Sequence, residues 1–150
     1  MDVALKQLTL TDFRNYPRLS LDLSGQHVVI TGENGAGKTN LLEAISFLSP
    51  GRGMRRAVLS DVARAGSANG FAVNATVDTP DGEVALGTGT FGEAPGGDAA
   101  RKLRVNGAAQ KSTDALTEHL RVVWVTPQMD GLFAGPAADR RRFLDRLVLA

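Results

Sequence analysis

Residues 27–45, HVVITGENGAGKTNLLEAI, decide how the chain is to be read. A short apolar run, His27 to Thr31, leads into a glycine-rich loop, which opens a segment with apolar residues at Leu41, Leu42, Ala44, Ile45 and Leu48. The run suits a strand buried on both faces of a sheet. The later spacing predicts an amphipathic helix over Asn40 to Ser49, stopped by Pro50 and Gly51. Between them, Gly32, Glu33, Asn34, Gly35, Ala36, Gly37, Lys38 and Thr39 satisfy the pattern G-x-x-x-x-G-K-[ST]. Glycine lets the backbone curl so that successive N–H groups point at phosphate oxygens. The helix adds its free first-turn N–H groups and the positive end of its dipole. Lys38 can reach between β- and γ-phosphates, and the Thr39 hydroxyl can take one Mg²⁺ coordination position. The expected ligand is a nucleoside triphosphate, ATP with Mg²⁺. A dinucleotide loop, G-x-G-x-x-G, does not fit this spacing and leaves the Lys-Thr pair unexplained.

On the N-terminal side, Val3, Leu5, Leu8 and Leu10 nearly alternate, the segment Asp12 to Pro17 reads as a turn, and Leu19, Leu21 and Leu23 alternate again. This predicts an antiparallel start. On the C-terminal side, FAVNATVDT (71–79) and EVALGTGTF (83–91) flank a Pro-Asp-Gly turn and read as a hairpin. Gly92 to Ala100 reads as a loose surface connection. Lys102 to Val105 is a strand closed by Asn106-Gly107, and Ser112 caps a short helix through His119. RVVWVT (121–126) is a second buried-strand candidate, and Gly135-Pro136 opens a helix with Leu144, Leu147 and Val148 on one side.

Composition bounds the function classes. The 150 residues are 43% hydrophobic and 22% charged, the profile of one globular domain. No apolar run approaches the ~20 residues of a membrane span, and MDVALKQLTL lacks the apolar core of a signal peptide. The chain reads as cytoplasmic, with no membrane partner. Without cysteine there are no disulfides or thiol chemistry, and two scattered histidines, His27 and His119, argue against zinc. A net charge of +1 gives no broad positive field for nucleic acid. Arginine is uneven, however, with Arg52, Arg55 and Arg56 in one cluster and Arg140, Arg141, Arg142 and Arg146 in another. The bias toward arginine suits phosphate contacts, and it also follows from high-GC codon usage.

Three stretches, LTLTDFRNYPRLSLDLS, VVITGENGAGKTNLLEAISFLSPGRGMR and VTPQMDGLFAGPAADRRRFLDRLV, occur in an order that resembles the N-terminal part of the RecF family of bacterial recombination mediators. That family stands among the ABC-type ATPase heads of the structural-maintenance-of-chromosomes group. The resemblance implies an α/β P-loop NTPase of that head type: a mixed sheet with an antiparallel β layer, here an incomplete first lobe. Arg14 and Asn15 are implied near the nucleotide, with Arg14 meeting a phosphate or stacking on the base; an ordinary surface turn explains the pair as well. Gln128 falls where such heads place a loop touching Mg²⁺ and the attacking water, although relatives often carry an acid there. Arg140 to Arg142 brace the head, face DNA or form a solvated helix face, with Phe143 and Leu144 marking the buried side. An acidic strand end for Mg²⁺ and a serine-rich signature are needed for hydrolysis. Neither occurs in these residues, so both are expected beyond residue 150, and the chain alone is expected to bind nucleotide weakly and hydrolyse hardly any.

The implied activity is an ATP-dependent homodimer that binds gapped and single-strand/double-strand DNA with a RecR-type mediator. It supports recombinase loading, replication restart and the SOS response, with slow ATP turnover. Arg52, Arg55 and Arg56, in a glycine-punctuated loop, are the expected DNA contacts, and replacing Arg55 and Arg56 is expected to spare ATP binding. A stand-alone P-loop kinase or other small P-loop NTPase is the alternative; it would need its own acidic Mg²⁺ residue and a lid.

Overall fold

The computed structural model describes residues 3–91 and 100–149. Its frame is one six-stranded antiparallel sheet in the order β2-β1-β3-β4-β5-β6, with β1 Ala4–Phe13, β2 Tyr16–Asp22, β3 Gly70–Thr79, β4 Gly82–Phe91, β5 Lys102–Val105 and β6 Ala108–Gln110. The helices are α1 Lys38–Ser46, the single turn α2 Leu59–Val62 and α3 Ala137–Leu149. Period-two alternation produces this sheet. Leu8 and Leu10 of β1 and Phe71, Val73, Ala75 and Val77 of β3 are buried on one face. Gln7, Thr9, Asn74 and Thr76 lie on the other. Leu8 stands opposite Ala75 and Leu10 opposite Val73, so one register aligns both apolar rows.

Helix α1 lies on the apolar face, contributing Leu41 and Ala44, and the residues just after it, Phe47 and Leu48, are fully buried. Phe13, Phe47 and Phe71 meet edge to face with centroids 5.5–5.9 Å apart, the arrangement their ring quadrupoles favour. Hairpin turns fall where turn chemistry allows. Asn106 and Gly107 both take positive φ, as a two-residue turn between β5 and β6 requires. The first turn is tighter than the expected Asp12–Pro17, since Phe13 pairs with Tyr16 and only Arg14 and Asn15 lie outside the ladder. Pro17 sits within β2, an edge strand that needs no N–H from it.

Four expectations are corrected. His27–Thr31 pairs with no strand among the described residues, and Val28 and Val29 are 52% and 85% exposed. The run 121–126 likewise forms no strand among the described residues: Val122 and Trp124 are half-buried while Val123 and Val125 face solvent. An apolar run becomes a strand only when another backbone takes its N–H and C=O groups, and none among the described residues does. For the same reason the sheet is antiparallel throughout its described pairs, where a mixed sheet was expected. On α3, Leu144, Leu147 and Val148 are exposed, so Leu144 does not mark a buried face. The short helix capped by Ser112 forms as a 3₁₀ helix, Thr113–Glu118, whose Asp114 N–H donates to the Ser112 hydroxyl at 3.1 Å. The expected loose connection at 92–100 lies outside the described residues except for Ala100.

Candidate functional site

Helix α1 begins at Lys38 behind Gly37, which has φ +104° and supplies no side-chain cap. No acid occupies the first turn. The early N–H groups are therefore open to an outside acceptor, and the dipole end carries no internal counter-charge. Gly32, Gly35 and Gly37 all have positive φ, so the glycine pattern is used conformationally. Asn34, Gly35, Gly37, Lys38, Thr39 and Asn40 line a cavity of about 300 Å³. The Lys38 ammonium folds back over the loop, donating to the Gly32 carbonyl and, at 2.6 Å, to that of Glu33. A phosphate group entering the cavity competes for these N–H donors. Loop and helix thus offer uncapped backbone N–H groups and one lysine, the donors that binding an anion requires.

The hairpin turn before the loop holds these donors in place. Tyr16 Oη donates to the Gly37 carbonyl at 3.0 Å, and Asn40 Nδ2 donates to Asn15 Oδ1 at 2.8 Å. Arg14 reaches deeper, donating through Nε and Nη2 to the two carboxylate oxygens of Glu43 at 2.9 and 2.8 Å. Its Nη1 donates to the Asp61 carbonyl at 2.8 Å. The hydrogen bonds that Arg14 donates to the Glu43 carboxylate keep its pKa above its ordinary value. Arg14 and Asn15 thus stand beside the loop, Arg14 bonded to Glu43 and Asp61 and Asn15 to Asn40, and neither lines the loop cavity.

Arg55 is the residue whose position differs most from the sequence reading. Its Nη1 donates to Asn40 Oδ1 at 2.9 Å and to Glu43 Oε2 at 3.1 Å, and its side chain lines the loop cavity. Gly53 makes this possible. With φ +71°, it passes so close to α1 that a Cβ would stand 2.9 Å from Ser46 Oγ and 3.0 Å from the Phe47 ring. Ser46 Oγ also accepts from the Met54 N–H at 2.8 Å. The arginine loop is therefore pinned to the end of α1. All three arginines are exposed, but only Arg55 and Arg56 line a cleft of about 660 Å³ beside Thr39. The expectation that Arg55 and Arg56 could be replaced without touching the phosphate site does not fit this placement.

The same cleft brings Thr39 and Gln128 together, the two residues named for Mg²⁺, with Gln128 on a 3₁₀ turn at Pro127–Met129. Among the described residues no three His, Cys, Asp or Glu side chains cluster as a metal site. The neutral oxygens of Thr39 and Gln128 suit a hard cation only in company with phosphate oxygens and water.

Two residues escaped sequence reading. Glu43, fully buried, is the shared partner of Arg14 and Arg55. A lone acid in an apolar helix face, with arginines on both sides in sequence, was its only signal. Arg101 closes the other end of α1. Its guanidinium lies 5.3 Å from the Phe47 centroid and donates to the carbonyls of Phe47, Ser49 and Gly51 and to Thr88 Oγ1. These carbonyls at the helix end would otherwise be orphaned. Burial lowers the Arg101 pKa to about 10, which leaves it cationic at neutral pH.

Comparison with known proteins agrees with this geometry. Residues 4–90 match the RecF/RecN/SMC N terminal domain. The chain is 63% identical over 148 residues to the DNA replication and repair protein RecF of Rhizobium meliloti and 64% identical over 149 residues to that of Agrobacterium fabrum. It covers 99% of its own length in each case but only 39% of theirs. Among solved structures, the recombination mediator protein RecF with ATP, in the RecFOR pathway, superposes with a TM-score of 0.80 at 29% identity, over 97% of this chain and 39% of that one. The SMC head domain from Thermotoga maritima superposes at 0.58 with 21% identity over 77% of this chain and 40% of that one, a likeness of fold alone. The fold is that of an ABC-type P-loop ATPase head, and the chain belongs to the RecF/RecN/SMC N-terminal domain family.

Proposed function

We propose that this chain is the nucleotide-binding part of a RecF-type DNA-repair protein and holds ATP on the loop Gly32–Thr39. The observation that carries the reading is the uncapped start of α1 behind Gly37, with Lys38 and Thr39 facing one cavity. The RecF–ATP structure supports the same ligand. Mg²⁺ fits the site through Thr39 and Gln128, and when bound it would neutralise phosphate charge. The chain's own contributions are backbone N–H donors, the Lys38 ammonium and the Arg55 guanidinium.

On this reading ATP joins two heads, and the dimer binds DNA at single-strand/double-strand junctions with a RecR-type partner. Recombinase loading, replication restart and the SOS response follow from that role, and turnover is slow. Arg52, exposed and outside the clefts beside Thr39, remains the candidate for DNA phosphate. The signature and acidic strand of a complete head belong to sequence beyond residue 150, and the exposed rows at Val28, Val29, Val123 and Val125 suit added strands.

Lys38→Ala tests the assignment. Its ammonium contacts only loop carbonyls, so the substitution should abolish ATP binding, measured by calorimetric titration, with an unchanged circular dichroism spectrum. Undiminished ATP affinity in Lys38→Ala would remove the basis for the reading.

A further inference from the structure

Beyond Thr39 and Arg55, the cleft that adjoins the loop cavity is bounded by Arg56, Trp124 and Arg146, and no carboxylate lines it. Arg146, near the end of α3, lays its guanidinium on the Trp124 ring at 4.3 Å from the centroid. Its Nη1 is buried with no hydrogen-bond partner. Neither Arg56 nor Arg146 has an ion pair among the described residues; Asp139, which lines an adjoining pocket with both, pairs with Arg142 at 3.6 Å. Burial, and secondarily the charge of Arg56, lower the Arg146 pKa. Two like charges at one wall and an unsatisfied charged donor are each unfavourable unless an anion sits between them. Arg55 differs in being neutralised by Glu43. The uncompensated positive charge of the cleft is thus carried by Arg56 and Arg146.

The cleft shares Thr39 and Arg55 with the loop cavity, so an anion arriving along the loop enters it end first. We infer that Arg56 and Arg146, with Trp124 as the platform that orients Arg146, form a subsite for the terminal phosphate of the bound nucleotide. The inference rests on the nucleotide reading given above and adds a specificity to it: the subsite distinguishes a triphosphate from a diphosphate. The loop N–H groups hold the phosphates that both nucleotides share and Lys38 reaches between the last two, whereas Arg146 meets only the group that the triphosphate adds.

Trp124 is the only tryptophan in the chain, so its emission reports on this subsite directly. The experiment titrates the full chain with Mg·ATP and with Mg·ADP, following Trp124 fluorescence alongside calorimetric affinities. The variants are Arg146→Gln, Arg56→Gly and Lys38→Ala. Arg56 has φ +51°, a conformation glycine accepts, so Arg56→Gly removes the guanidinium without backbone strain and serves should Arg146→Gln fold poorly. In the wild type, ATP should shift Trp124 emission and ADP should not. Arg146→Gln and Arg56→Gly should each lower ATP affinity about tenfold, the usual size of one charge-assisted contact, with ADP affinity nearly unchanged. If Lys38→Ala abolishes binding but the two arginine variants leave the ATP-to-ADP preference unaltered, the subsite is refuted and the nucleotide site stands. If the wild type shows no Lys38-dependent nucleotide binding at all, both readings fall together.

Discussion

Replacing Glu43 by Gln keeps the size of a fully buried side chain and removes the charge that Arg14 and Arg55 share. The carboxylate accepts three hydrogen bonds, at 2.8 and 2.9 Å from Arg14 and 3.1 Å from Arg55. A glutamine amide can accept through one oxygen only, and its N–H₂ must point at a guanidinium N–H. Breaking a buried ion pair by removing one partner costs about 3–5 kcal/mol. Here Arg14 and Arg55 are 21% and 40% exposed, so water recovers part of the loss and about 2–3 kcal/mol is expected. For a chain of this size that corresponds to a fall of roughly 4–12 °C in melting temperature. Urea unfolding followed by circular dichroism measures it, with Arg14→Met and the double variant completing a cycle. A coupling of about 1 kcal/mol or more between positions 14 and 43 is expected, since they touch. A loss below about 0.5 kcal/mol would place Glu43 in the range of ordinary surface substitutions. It would refute the argument that this carboxylate ties the first hairpin and the arginine loop to α1.

Gly37→Ala should cripple the loop, because a Cβ there stands 2.7 Å from both Asn15 Nδ2 and Tyr16 Oη at a φ of +104°; ATP titration and a thermal melt should both register the loss, and an unaffected variant would show that the loop is not clasped by the hairpin turn. Arg101→Met preserves contact with Phe47 but strands three carbonyls at the end of α1, so about 2–4 kcal/mol should be lost in urea unfolding.

The antiparallel half of the fold was legible because alternation and turn chemistry act locally. Asn106-Gly107 marks its own turn, and the rows of β3 and β4 name their buried faces residue by residue. The loop was legible because Gly-Lys-Thr before an amphipathic helix has one physical use. What failed was partnership at a distance. HVVIT and RVVWVT carry the composition of buried strands, yet composition states only that side chains prefer burial. It does not supply the neighbour whose backbone completes the ladder, and Val29 and Val125 are exposed for want of it. Arg55 failed differently. Nothing in the spacing of GRGMRR says that Gly53 presses against Ser46 and Phe47, and that contact turns Arg55 toward the loop cavity.

The turn at Arg14–Tyr16 carries the remaining lesson, which concerns how a binding loop acquires its shape. The resemblance placed Arg14 and Asn15 near the nucleotide; in the structure Arg14 bonds to Glu43 and to the Asp61 carbonyl, and Asn15 to Asn40. Their effect on binding is indirect: a loop already fixed by Tyr16 and Asn15 presents its N–H groups without an ordering cost when the ligand arrives. Lys38 is the exception, since it must leave the Gly32 and Glu33 carbonyls to meet a phosphate. Its net gain is the difference between an ionic oxygen and two carbonyl dipoles. That difference is large for a phosphate group, whose full negative charge attracts the ammonium, and small for a neutral hydroxyl or amide, which offers only another dipole. The folded-back lysine therefore selects for charge at the mouth of the cavity, while the rigid loop behind it selects for shape.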